Sequence, residues 1–410
     1  MIRLPQAAWQ RNHWVMVATT FVVFTGFAFV LPFLPLYVRE LGVADEETAA
    51  VWAGLLIGVS PLLAGLLAPV WGRLADRYGQ KAMALRALGS YVVLLALSGA
   101  AASVGQLLAL RIGIGLFGGI GPLGLAMATS LAPRDQTGRV VGQIQAAQIL
   151  SAAFGPLAGG FLADTVGMRT TFVLAALLNA AALAFVAAFF QEPRGAEAPA
   201  LQQRGSFTEV LRLPGVPVLL LVLFLVNFIG RSFTPILPLH LGALGVPLPG
   251  RASATGLLIA AYAVAAAASA AALGRASRRR APRALLAAAL FAGGLTVLPM
   301  GLVESFPALL GLALLLGLVS GGCLTLCYTI GGLMVPGERR ATAFGFFSGA
   351  ALFGGSVSPS VAGLLSKHWT LRGIYYVDAA IFALLALGQL PRLAGSAAPA
   401  AEPAREETLG

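Results

Sequence analysis

The chain has 410 residues, 58% of them hydrophobic and only 10% charged, with a mean hydropathy of +0.86. No soluble core of this length needs so much apolar surface, which excludes an ordinary water-soluble enzyme or scaffold. The formal net charge of +11 does not indicate a nucleic-acid binder either, because the basic residues sit in short clusters with no stacking aromatics between them.

Apolar runs of roughly 20 residues, each read as a membrane span, recur about twelve times. They fall at 14–38, 50–71, 84–103, 106–131, 140–163, 170–190, 216–240, 254–274, 284–303, 307–335, 342–365 and 373–391. The first is too long for the apolar core of a signal peptide, so no removable leader is expected. The second leads into Gly72-Arg73-Leu74-Ala75-Asp76-Arg77-Tyr78-Gly79-Gln80-Lys81, with three cations and one carboxylate in what reads as a short turn. Such a turn cannot lie in hydrocarbon and marks the water surface.

Arg111 lies early in the fourth run, where a guanidinium needs a carboxylate, a backbone carbonyl or a wet cavity unless it snorkels outward. On the fifth run Gln145 and Gln148 share a face, with Gln143 and Ser151 nearby; amides there are costly unless they face a wet cavity or one another. Farther along, Gly155, Gly159 and Gly160 let a neighbouring helix approach closely, and Pro156 bends the helix. Asn227 and Arg231, one turn apart on the seventh run, read like the glutamines. Phe27 and Tyr262, with Phe24, Phe117, Tyr328 and Phe346, are candidates for lining a pocket for lipophilic compounds.

Cys323 and Cys327 are one turn apart on the tenth run and read as packing residues, not a disulfide or a metal site. Asp378 is the acid clearly at membrane depth, Asp164 and Glu304 lying near outer ends. It is expected to pair with Arg231 or Arg111 or to carry a coupled proton; His240 is a second proton candidate. No nucleotide-binding loop, metal-ligand cluster or nucleophile–base pair stands out, so neither an enzyme nor an ATP-driven pump is indicated and no cofactor or metal is expected.

Lys and Arg set the orientation. Twenty fall on the side that carries both termini, five on the other, and Arg111 and Arg231 within spans. Both termini are therefore expected in the cytoplasm. The chain also repeats itself. Leu31-Pro32-Phe33-Leu34-Pro35-Leu36 returns as Thr234-Pro235-Ile236-Leu237-Pro238-Leu239, an offset of 203 that also carries Gly118-Gly119 onto Gly321-Gly322, Pro156 onto Pro359 and Gly160 onto Gly363. Gly54 maps onto Gly256 with one residue less. Two six-helix bundles are expected, 1–192 and 214–391, joined by a polar cytoplasmic linker at 193–213 and followed by a disordered tail at 392–410. Matched halves about a midplane site are a transporter architecture.

The Gly72–Lys81 segment resembles motif A of the major facilitator superfamily, Arg111 and its glycines resemble motif B, and Ser151–Gly160 resembles motif C of the drug:proton antiporters. With Pro32 and Pro35, these look like the twelve-helix drug:proton antiporter family, most like its MdtG-type branch. The resemblance implies an all-α integral membrane protein of two pseudosymmetric bundles in the cell inner membrane, exporting small amphipathic compounds in exchange for protons. It further implies a conformational latch of Gly72, Asp76, Arg77, Gly79 and Lys81, with Asp76 meeting the N-terminal end of the eleventh helix while the cytoplasmic side is shut. An anion there gains about 0.3–1 kcal/mol when exposed and up to about 2 when partly buried. Arg111 takes part in proton handling in this reading. The expected partners are the substrate, protons and the lipid bilayer, with no nucleic acid and a functional monomer. Competing readings are a transporter of a metabolite such as a sugar or organic acid, and a membrane receptor or scaffold.

Overall fold

A computed structural model describes residues 6–130, 136–192, 207–336 and 339–394. Most of the expected linker and the tail from 395 lie outside the described residues. Within them the chain is helical and contains no strand. The first half comprises α1 (Gln6–Val30), α2 (Leu34–Glu40), α3 (Glu46–Tyr78), α4 (Gln80–Gly99), α5 (Val104–Phe117), α6 (Ile120–Ser130), α7 (Thr137–Val166) and α8 (Met168–Phe189). A short α9 (Phe207–Leu211) precedes α10 (Val216–Ser232), α11 (Leu237–Ala243), α12 (Arg251–Ala276), α13 (Pro282–Val297), α14 (Phe306–Ser320), α15 (Cys323–Met334), α16 (Arg340–His368) and α17 (Gly373–Ala394).

Among the described residues nine helical segments are long and apolar enough to cross a membrane, and ten if the bent pair α10–α11 counts as one. α5 and residues Gly373–Gly388 of α17 are shorter apolar helices at the two remaining expected positions. Leu66, Phe161, Leu333 and Leu384 are exposed along these spans, as suits a surface bathed in lipid tails.

Several spans are broken, and the breaks follow the repeat. Pro32 and Pro35 part α1 from α2, and Pro235 and Pro238 part α10 from α11 at a bend of 44°; a proline supplies no amide donor and clashes with the preceding turn. Gly118-Gly119 and Gly321-Gly322 interrupt the fourth and tenth spans in the same way. Side chains satisfy the opened backbone in the fourth span. Trp71 donates to the Leu116 carbonyl at 2.9 Å, Arg86 to Gly118 at 3.2 Å, and the Gly119 amide to the Tyr91 hydroxyl at 3.1 Å.

The packing repeats as well. α1 lies on α7, α3 on α5 and α4 on α8; their counterparts pair in the same pattern, α10 on α16, α12 on α14 and α13 on α17. Buried apolar side chains form two clusters, one drawn from residues 9–190 plus Ala252, the other from 210–386 plus Ala50. Each cluster borrows one alanine from the other part of the chain, and the repeat relates the two alanines. They mark the seams where α3 meets α16 and α7 meets α12.

Candidate functional site

Both seams close at one end of the molecule. On α3 a methyl group added at Gly54 or Gly58 would land on the carbonyl oxygens of Pro359 or Ser356 of α16. One added at Gly363 would land on the carbonyl of Ala50. Across α7 and α12, Gly160 lies against the Ala252 carbonyl and Gly256 against that of Pro156. Only glycine lets backbones meet so closely. Toward the end that carries α9, which we call the linker end, the helices part: an added methyl at Gly72, Gly142, Gly345 or Gly349 meets nothing within 4 Å. The result is a cleft, open at the linker end and shut at the far end.

The charged segment at the linker end is not the turn expected from the sequence. α3 runs on through Tyr78, and Gly79 alone makes the turn, at φ 95°. The charges do not end the helix because backbone hydrogen bonds continue where side chains reach water; here the positive φ of Gly79 ends it. Asp76 and Arg77 are exposed, and Asp76 makes no ion pair or hydrogen bond among the described residues. Its expected contact with the start of α16 is thus unmade, since that contact needs the linker end shut. Gly72 likewise has no close neighbour.

Lys81 has turned inward within its own half. Its ammonium donates to the carbonyls of Ala187 at 2.8 Å and Phe190 at 2.7 Å, capping the C-terminus of α8. Glu192 answers by accepting the amide of Gln80 at the start of α4. Lys81→Met should lower the unfolding temperature by a few degrees, about 1 kcal/mol, measured by thermal unfolding in detergent. An unchanged melting curve would contradict the capping role.

Near mid-depth, Arg231 is exposed although it lies close to the middle of the span formed by α10 and α11. A guanidinium facing lipid there is costly, so it faces the wet cleft. Asn227, one turn earlier, donates to the Leu223 carbonyl at 3.4 Å and lies with Arg231 beside Gly355. The expected pairing of Asp378 with an arginine is not formed. Its carboxyl accepts instead from Ser232, and its other oxygen is buried without a partner. Ser232 follows Arg231, and successive helix positions point about 100° apart, so Ser232 enters the core while Arg231 enters the cleft.

Two further groups extend from Asp378. Tyr375, one turn away on α17, lies within its electrostatic reach, and the Tyr375 hydroxyl and His240 Nδ1 are hydrogen-bonded at 3.0 Å. His240 Nε2 is buried without a partner. A polar trail therefore runs from mid-depth toward the far end through Ser232, Asp378, Tyr375 and His240. Tyr262 sits within electrostatic reach of both Arg231 and Asp378 and lines a small cavity of about 40 Å³ with Phe233, Thr234 and Met300.

Arg111 is buried rather than snorkelling, at 5% exposure. Its Nε and Nη2 have no hydrogen-bond partner, and its nearest ring is Phe172, 6.0 Å from the guanidinium carbon. Gln145 is exposed and Gln148 half-buried, whereas Gln143 bonds His13 at 2.6 Å and Ser151 bonds the Phe21 carbonyl at 2.9 Å. These last two join α7 to α1. Phe27 packs edge-on against Tyr91 at 4.6 Å. The α7 glycines divide: Gly155 and Gly159 lie against α1 backbone and side chains, Gly160 against α12. Cys323 and Cys327 are buried and unbridged. Ser232 and Tyr375 carry no signal in the sequence, since they look like ordinary packing residues until α10 and α17 are brought together.

A model of the Major Facilitator Superfamily matches residues 16–254 and 250–408. The multidrug resistance protein MdtG of Klebsiella pneumoniae is 32% identical over 403 residues, 97% of each chain. A Bacillus subtilis protein described as an uncharacterized MFS-type transporter, YuxJ, is 30% identical over 379 residues, covering 91% of this chain and 94% of that one. Among solved structures, a bacterial homolog of the human lysosomal transporter Spinster superposes with a TM-score of 0.78 at 16% identity, covering 95% of this chain and 98% of its own.

Proposed function

The chain belongs to the major facilitator superfamily, in the branch of the MdtG multidrug resistance proteins, and on that premise we propose that it is a secondary active exporter of small amphipathic compounds driven by proton exchange. The observation that carries this reading most is the cleft itself. Two halves related by the repeat touch at the far end, part at the linker end, and leave Arg231 exposed at mid-depth between. Rocking about the α3–α16 and α7–α12 seams would open the other end in turn, which is alternating access. The Lys and Arg bias argues for a cytoplasmic linker end, which makes this form open inward.

In this reading the protein spans the cytoplasmic membrane many times, has both termini inside and works as a monomer, because one chain supplies both halves. Asp76 latches the start of α16 when the cytoplasmic end shuts. The proton enters from outside by His240 and Tyr375 to Asp378, beside the substrate groups Arg231, Asn227 and Tyr262. Asp378→Asn should abolish proton-coupled export and Tyr375→Phe should slow it about tenfold, the contribution typical of a positioned proton carrier being larger still. Normal proton-coupled export by Asp378→Asn would end the assignment of the proton to this trail.

The function as a whole is tested in cells carrying the protein, with ethidium and carboxyfluorescein as cationic and anionic probes. Lower accumulation of a probe that is abolished by a protonophore and weakened by Asp76→Asn supports export. Accumulation equal to that of empty cells for both probes contradicts a broad drug exporter.

A further inference from the structure

The far end holds a contact that the transport reading does not use. α12 begins without a capping side chain of its own, since its N-cap is Gly250. Its third residue, Ser253, donates its amide to Asp164 Oδ2 at 2.7 Å and its hydroxyl to the same oxygen at 2.6 Å. Asp164 belongs to α7, in the other half, one turn beyond Gly160. An orphan amide in the first turn of α12 is therefore satisfied by a carboxylate reaching across the seam, with the favourable sign for a helix N-terminus.

The repeat-related seam lacks this contact. α3, the counterpart of α12, carries its own cap: Asp45 accepts the Thr48 amide at 2.7 Å. The counterpart of Asp164 on α16 is Lys367, which lies within electrostatic reach of Asp45. One seam closes on a helix that is already capped. The other closes on a helix whose cap comes only with closure.

We infer that Asp164 is a positioning residue for the far-end gate: its carboxylate holds α7 on α12 while that end is shut and must let go whenever it opens. The inference rests on the alternating-access reading. Asp164 acts through the position of α12, since the mid-depth groups lie several turns away along the helices. Loss of a capping carboxylate shifts an equilibrium by about 2- to 30-fold. Asp164 therefore biases the resting protein toward the form described here.

The test uses the full chain in lipid nanodiscs, spin-labelled at Ala44→Cys and His368→Cys. Both sites are exposed at the far end on the α3–α16 seam, away from Asp164, and the native cysteines are buried. Pulsed electron resonance reads the fraction with the far end open from the distance distribution. Asp164→Ala should raise the open-to-shut ratio about tenfold, and Asp164→Glu should return it toward the parent value. A cap that only stabilised the fold would lower the melting temperature and leave the ratio alone, which would overturn the inference. Two distances in the parent with a ratio untouched by Asp164→Ala would remove the gate role and keep alternating access. A single distance in both the parent and Asp164→Ala at every pH would remove alternating access, and the gate role with it.

Discussion

Gly160→Leu is expected to reduce transport by about 10- to 100-fold while leaving the protein folded. The backbone of Gly160 lies against the Ala252 carbonyl on the opposite half, so a leucine there cannot be accommodated with the far end shut. Overpacking costs about 1–3 kcal/mol where neighbours can move, and here the neighbour is backbone. The two halves keep their own cores, so the cost falls on closure and not on folding. Gly159→Leu, one residue away, should behave oppositely. Gly159 lies against the Phe29 backbone within the same half, and its replacement should lower yield and melting temperature before it affects gating. Transport per folded molecule, measured beside thermal unfolding for both variants, separates the two. Equal loss of stability in both would contradict a division of the α7 glycines between an internal seam and a moving one.

Arg111→Met should raise the melting temperature while transport falls at least tenfold. The buried guanidinium leaves Nε and Nη2 without acceptors and has no carboxylate among its contacts in the described residues. An unpaired buried charge is among the least favourable arrangements a core can hold, and apolar replacements of buried ionic groups stabilise proteins by about 1–4 kcal/mol. A gain of about 1–3 kcal/mol is expected here, with the loss of transport showing what the charge is retained for. Arg111→Lys should keep much of the instability. A lower melting temperature with unaltered transport in Arg111→Met would make the guanidinium a structural plug and remove it from proton handling.

The fold was legible because its signals are long and repeated. Spans of apolar residues and the Pro32/Pro235 and Gly118/Gly321 correspondences need no tertiary contact to be seen. What those residues do to the backbone was less legible: both proline pairs end one helix and start another, although the run of apolar side chains is unbroken. The Gly72–Lys81 segment read as a turn because charge marks the water surface, yet charge does not unwind a helix, and Gly79 alone does. Site residues depended on spacing. Gly155, Gly159 and Gly160 stand out as small residues on one helix, but which neighbour each meets is a property of the assembled bundle. The partner of Asp378 could not be read, since Ser232 and Arg231 are adjacent in sequence and point to different surroundings. Asp164 shows the same limit: it is an ordinary acid at a span end until the bare N-terminus of α12 is set beside it.

Proton-driven export would run through the cleft. Its most direct test is a proteoliposome assay, with protein inserted so that the linker end faces outward, a proton gradient imposed acidic inside, and ethidium or carboxyfluorescein outside. Uphill uptake of at least one probe is expected, with protons leaving the vesicles in step and both fluxes lost in Asp378→Asn. Probe movement that ignores the proton gradient, or only runs down its own, would contradict proton-driven export.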